Sequence, residues 1–239
     1  LYPNPAAENQ VLIDALAILE ASPVDDPTEN LQTELLLRQC LSNHQLQMVM
    51  AYFWDVHFNT SISRIKVRLE LWLANEFPDL MASEHAELAN EWAATLEGIE
   101  ADAFRDNALG SFYDLLYASW NSSSMRLYLN LFGSDCDPPN EDYARELLEL
   151  HTLGVADAQG ELNYSQADVE AVAEILTGSS VVDTTPFDPV FDPNAHCTHP
   201  VATAHWTLFT SNDDVDDVTI DGIDDHLASC PPVPTGESC

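Results

Sequence analysis

Residues 140–155 read Asn140-Glu141-Asp142-Tyr143-Ala144-Arg145-Glu146-Leu147-Leu148-Glu149-Leu150-His151-Thr152-Leu153-Gly154-Val155. Asn140, following Pro138-Pro139, reads as a helix start and Gly154 as a stop. On a helical wheel Tyr143, Ala144, Leu147, Leu148 and Leu150 share one side, with His151 among them. Glu141, Arg145, Glu149 and Thr152 share another side, spaced for intrahelical ion pairs. The expected element is a helix with an inward histidine and an ionic strip.

The same periodicity extends upstream. Val11, Leu12, Ala15, Leu16 and Leu19 predict a helix that ends at Ser22-Pro23. Thr28 reads as the next N-cap, with Leu31, Leu35, Leu36 and Cys40 facing inward. Gln45 to about Phe58 is the most apolar segment, and its inward stripe is expected to be Leu46, Val49, Met50, Phe53 and His57. A helix from Ser61 or Ser63 carries Ile65, Leu69, Trp72 and Leu73. Another, opened by Ser83 and Glu84, carries Leu88, Trp92 and Leu96. Phe112, Leu115, Leu116 and Trp120 define the next, and a short one runs from Met125 to about Leu131. Downstream, Ser165 and Asp168 form a near capping box before Val169, Val172, Ala173 and Leu176, and Thr177-Gly178 closes that helix.

Beyond Gly178 the composition turns to Pro, Thr, Asp and Val. Short β-favouring runs stand at Val181-Val182, His205 to Thr210 and Val218 to Ile220. The expected fold is therefore mainly α: a multi-helix orthogonal array with a loop-rich C-terminal segment containing a few short strands. Residues 1–178 are expected to form a helical domain, with 179–239 an acidic segment packed on it.

Forty-one acidic side chains against seven basic ones give a net charge of −34, and Lys66 is the one lysine. Such a surface repels nucleic acid and anionic lipid, which argues against both as partners. Adaptation to a salty medium fits best, because molar salt shortens the repulsion to roughly 3 Å. No apolar run is long enough to cross a bilayer, so a soluble chain is expected. The sequence opens on Leu1, which suggests a removed leader or a start inside a longer product. The five cysteines fit no metal-finger or haem-attachment spacing. Cys197 suits a disulfide with Cys136, Cys230 or Cys239, and Cys230 with Cys239 would close a small loop in an oxidising compartment. Cys40 is expected to be a buried thiol.

Four runs, in order, carry a family resemblance: Phe53-Trp54-Asp55-Val56-His57-Phe58-Asn59; Ala108 to Leu116; Asn140 to Val155; and Tyr164 to Val169, continuing to Leu176-Thr177-Gly178. Together they resemble the domain-of-unknown-function 1800 family over roughly residues 35 to 200. The resemblance implies a mostly helical, exported bacterial protein without an agreed activity. Where that family has Trp after Thr-Gly, this chain has Ser179, and the family's further helical C-terminal half has no counterpart here.

Candidate chemistry rests on few residues. His57 and His151 fall in apolar stripes, and His196 stands at the family's third histidine position. Together with Glu146 or Glu149, the three histidines would suit a transition metal. The plainer expectation is that each ring is satisfied by its own hydrogen bonds, because no compact ligand motif is present. Arg145, with Glu141 and Glu149 four residues to either side, reads first as a brace between helices. In the run Asn212 to Asp217, oxygens such as those of Asp214 and Asp216 are spaced for calcium, although a solvated acidic loop is the simpler reading. No nucleophile elbow, phosphate loop or dinucleotide motif is present.

The expected function is accordingly a structural or interaction module at or outside the cell surface, with a protein partner or self-assembly. The alternative is a metal-dependent enzyme, a hydrolase or oxidoreductase, with Glu146, Glu149 and Arg145 assisting the metal-bound group.

Overall fold

A computed structural model describes residues 9–181, 188–198, 201–202, 207–208 and 220–221. The chain is mainly α, as its periodicity predicts. In order come α1 (Gln10–Ala21), α2 (Pro27–Leu41), α3 (Gln45–His57), α4 (Ile62–Glu76) and α5 (Ala82–Asn107), followed by α6 (Phe112–Trp120), α7 (Ser123–Tyr128) and α8 (Asp142–Glu146). A π-helical turn (Leu147–Thr152) continues α8, and α9 is Gln166–Ile175. Two short strands, β1 (Ser179–Val181) and β2 (Pro189–Phe191), pair with each other. β3 (Val201–Ala202), β4 (Thr207–Leu208) and β5 (Ile220–Asp221) form an antiparallel ladder in which Val201 faces Leu208 and Thr207 faces Asp221.

The chain divides into two compact units: Leu1–Phe132 with Ser180–Val190, and Gly133–Ser179 with Phe191–Cys239. The first is built around α5, against which α2, α3, α4, α6 and α7 all pack. Ile65, Leu69 and Leu73 of α4 recur every four residues and are fully buried against Ala89, Ala93 and Leu96 of α5 and Leu127 of α7. Alanine at 89 and 93 leaves room for the ridges of α4 to seat closely. Phe58, Phe104 and Phe112 add an aromatic cluster in which Phe58 stacks on Phe104 with ring centroids 5.4 Å apart.

Arg126 is 2% exposed, and its guanidinium is tied to backbone from three places. Nε donates to the Trp120 carbonyl, while Nη1 donates to those of Ser180 and Val190. The cation also lies 4.8 Å from the centre of the Trp120 ring. Ser180 and Val190 are thereby tied to the α6–α7 corner by a side chain that the composition alone would place on the surface.

Several sequence expectations need correcting in detail. The N-cap of α2 is Asp26, with Pro27 in the first turn, rather than Thr28; Asp26 accepts from the Thr28 and Glu29 amides, which hold its carboxyl below the usual range. Met81 precedes α5, and the Glu84 carboxylate accepts from its amide. Cys40 is exposed, not buried. On α3 the expected stripe is turned outward: Leu46, Val49 and Phe53 are exposed while Met48 and Phe58 are buried. Polar tethers explain the turn, since Gln47 donates to the Arg105 carbonyl and the Trp54 indole donates to that of Ala108.

In the second unit Ala144 and Leu148 pack against Val169 and Ala173 of α9. The predicted cap is present: the Asp168 carboxylate accepts from the Ser165 amide and hydroxyl, and the Ser165 hydroxyl accepts from the Asp168 amide. The stretch from Asn140 is not one regular α-helix, however. Its second half widens into the π-turn, in which the Leu153 amide donates to the Leu148 carbonyl five residues back. That change of pitch leaves Leu150 exposed, against expectation, and keeps His151 buried.

Cys136 and Cys197 are joined in a disulfide, which selects one of the pairings the sequence left open. Beside it the Cys197 amide donates to the Thr177 hydroxyl, and Gly178 adopts φ +82°. A Cβ on Gly178 would stand 2.6 Å from the Asp192 carbonyl oxygen, the close neighbour of a backbone pair in which the Asp192 amide donates to Gly178. Glycine here serves both the left-handed backbone and the close approach. Replacing Gly178 with Ala is expected to cost about 1–3 kcal/mol for the backbone conformation alone. Thermal melting should show a clear drop, larger than for Gly160→Ala, where φ is +87° but no atom lies within 4 Å of the added carbon.

Candidate functional site

One face of α5 carries acid into the core. Glu97 and Glu100 follow Leu96, and a single hydroxyl links them: Thr60 Oγ1 donates to Glu97 Oε1 at 2.7 Å and reaches Glu100 Oε2 at 3.2 Å. Asp55, half-buried on the inner side of α3, adds its charge to both carboxyls. Glu100 is only 3% exposed, and its Oε1 is sealed from solvent with no hydrogen-bond partner among the described residues.

Burial is the main reason that Glu100 holds its proton well above the usual glutamate range, and the neighbouring Glu97 charge adds to it; Ser122 and Thr60 oppose the shift. Glu97 is raised in the same way, by burial first and by Asp55, and burial also raises Asp55.

Glu100 also lines a half-open cleft of about 470 Å³. One wall is the face of α5 that bears Leu96, Ile99, Glu100, Ala103 and Asn107; the other is the face of α6 that bears Asp114, Tyr117 and Ala118, with Asn121 at its C-cap. The spacing on each wall is one helical face. Ser122, Ser123, Asp188 and Pro189 close the ends, and none of these lining residues is basic. A concave site with convergent polar groups and a carboxyl of raised proton affinity has the features expected of a binding or acid–base centre.

Sequence reasoning passed over Glu97 and Glu100 because the stripe Leu88, Trp92, Leu96 made them look like the solvated side of α5. The signal was nevertheless present. Around Glu100, the positions three and four residues away are Leu96, Glu97, Ala103 and Phe104, with no base to pair with.

The residues singled out from the sequence lie elsewhere. His57 is in the first unit, among the rings of Phe53, Trp54, Phe58 and Phe112. His151 and His196 are in the second unit. His151 sits buried on the π-turn, edge-on to Tyr143, and His196 Nδ1 donates to the Thr177 carbonyl at 2.8 Å. Among the described residues no group of three or more His, Cys, Asp or Glu side chains is placed to hold a metal ion. Asp214 and Asp216 lie outside the described residues.

Arg145 is paired with Glu141 at 2.7 Å and donates to Gln166 of α9, which in turn donates to Glu141 and Glu170. Glu149 accepts instead from the Tyr164 hydroxyl. Glu146 is raised by partial burial and by Glu149 and Asp142 beside it. The Arg145 set joins α8 to α9 at the surface, where such a pair contributes at most about 1 kcal/mol.

A family model described as "Protein of unknown function (DUF1800)" matches residues 82–227, from α5 through the short strands. The match starts downstream of the Phe53–Asn59 run and includes both Glu97 and Glu100. No curated protein and no solved structure matches the chain.

The buried acids generate a pH prediction. Glu97 and Glu100 bind protons at higher pH in the folded chain than their ordinary value of 4.5. Folding therefore takes up protons, and stability falls as pH rises through the raised range. Glu100→Gln should melt above wild type near neutral pH, by roughly 2–4 °C for each kcal/mol of repulsion removed. The gap should narrow as pH approaches 4.5. Melting curves across pH check both the sign and the convergence.

Proposed function

The chain belongs to the DUF1800 family of proteins of unknown function, and from that premise we propose that it is an extracellular interaction module that docks a basic, amphipathic partner protein. The observation that carries this reading is the outer face of α3. Leu46, Val49, Phe53 and Val56 recur at three- and four-residue spacing with 66%, 60%, 51% and 55% of their surfaces exposed, and Tyr52 beside them is 56% exposed. A continuous apolar stripe of this kind, on a chain of net charge −34, is the signature of a contact surface rather than of scattered surface residues.

Charge selects the occupant. A second copy carries the same large negative charge and is repelled, whereas a partner with basic residues flanking an apolar ridge gains both steering and burial. Recognition would follow the helix-in-groove or helix-on-helix mode, with anchors spaced as on α3. The Cys136–Cys197 disulfide supports a location in an oxidising compartment, and no helix among the described residues is long and apolar enough to cross a membrane.

The test uses a synthetic amphipathic helix of leucine and lysine as probe, with Val49→Gln/Val56→Gln as the variant. Glutamine keeps the helix propensity of these exposed positions, so melting should be unchanged. The variant should bind the peptide at least about tenfold more weakly, and wild-type binding should persist in part at about 0.5 M salt, where long-range attraction is screened. Binding that vanishes with salt and ignores the double substitution would remove the basis for the proposal, as would concentration-dependent self-association in place of peptide binding.

A further inference from the structure

Bases are scarce in this chain, and their placement is uneven. Arg38, Arg105 and Arg145 each pair with a carboxylate, and Arg126 is buried among backbone carbonyls. The remaining three of the seven, Arg64, Lys66 and Arg68, stand within one short stretch of α4. None of them forms an ion pair among the described residues, although acids outnumber bases by 41 to 7.

Helix geometry shows what surrounds them. α4 turns Ile65, Leu69 and Leu73 into the core, which sends Val67 and Leu71 to the opposite side, where they are 54% and 57% exposed. Arg64 and Arg68 run along one flank of that ridge, and Lys66 and Glu70 along the other. Arg64 lies over the Tyr128 ring, 5.3 Å from its centre, which orients the guanidinium beside the ridge. Lys66 is within electrostatic reach of Asp26. On α4 the ridge is therefore bordered by three bases and a single acid, the reverse of the chain's overall balance.

We propose that this face of α4 docks an acidic amphipathic helix of a partner protein, with apolar anchors on Val67 and Leu71 and carboxylates on Arg64 and Arg68. The sign of the face selects the occupant, because the partner supplies the carboxylates that the chain itself withholds there. At physiological salt the field of the surrounding acids falls off over about 8 Å, so a single helix laid on α4 meets chiefly the local bases. An anionic lipid surface or a nucleic acid is too extended to escape the rest of a chain of net charge −34. The α3 stripe of a second copy is no counterpart either, since Leu46, Val49, Tyr52, Phe53 and Val56 offer these bases no carboxylate. The inference is independent of the reading of α3, which takes a partner of the opposite charge.

Fluorescence anisotropy on the intact chain at physiological salt tests it, with a labelled amphipathic helix of leucine and glutamate as probe. A leucine–glutamine helix of the same apolar pattern is the neutral counterpart. The acidic helix should bind saturably and at least about tenfold more tightly than the neutral one, against the net charge of the chain. Arg64→Gln/Arg68→Gln should weaken the acidic helix by about tenfold or more, and Val67→Gln/Leu71→Gln should weaken both helices. Neither variant should weaken the leucine–lysine helix that probes α3. The proposal is overturned if the acidic helix binds no more tightly than the neutral one, or if a folded Arg64→Gln/Arg68→Gln chain binds it as wild type does. Binding of anionic phospholipid vesicles, or self-association, in place of peptide binding would overturn it as well. The comparison of acidic and neutral helices on wild type decides the matter even if a variant fails to fold, and no outcome here bears on the α3 variant.

Discussion

Enclosure of α5 is the constraint on which the first unit depends. A helix of 26 residues packed by α2, α3, α4, α6 and α7 keeps water to one stripe, from Ser83 through Glu87, Glu91 and Thr95 to Asp102 and Asp106. Its buried positions therefore include not only Ala89, Ala93, Leu96 and Phe104 but also His85 and Glu100. Small residues allow α4 to approach on one side, and acid is carried inward on another. The cost of that burial appears as the raised proton affinity of Glu97 and Glu100, and Thr60 and Ser122 offset part of it. Glu100 also borders the cleft between α5 and α6.

The same unit shows how polar tethers override hydrophobic pattern. α3 carries two apolar faces, yet its orientation follows two side-chain hydrogen bonds, from Gln47 and Trp54, to the backbone at the end of α5 and just after it. Phe58 then fills the aromatic cluster, and the Leu46–Val56 stripe is left outside. Arg126 acts in the same sense, its fork matched to carbonyls of Trp120, Ser180 and Val190. Hydrogen-bond geometry is directional where hydrophobic burial is not, so a few such contacts can choose between two apolar faces of nearly equal value.

Much of the fold was readable from residue order. The α4 stripe Ile65, Leu69, Leu73 was placed inward correctly, as were the α9 face with its Ser165–Asp168 cap, the break at Gly178 and the mainly helical class. β2 and β3 were missed, being two or three residues long and lacking a pattern to read. The candidate cleft was almost wholly hidden. Glu100, Asp114 and Asp188 lie on separate stretches of the sequence, and each looks like an ordinary surface acid until the neighbouring helix is in place.

Local signals determined the elements: caps, glycine stops and the 3.6-residue period act within a few residues of one another, so they survive in the sequence alone. The family resemblance at Asn140–Val155 is likewise a property of order. Tertiary structure decided what order could not: the widening of that stretch into a π-turn, the pairing of Cys136 with Cys197, and the outward turn of α3. It also decided which carboxyls lost their water, because solvation depends on every element that packs around a group and not on the group's own neighbours in the chain.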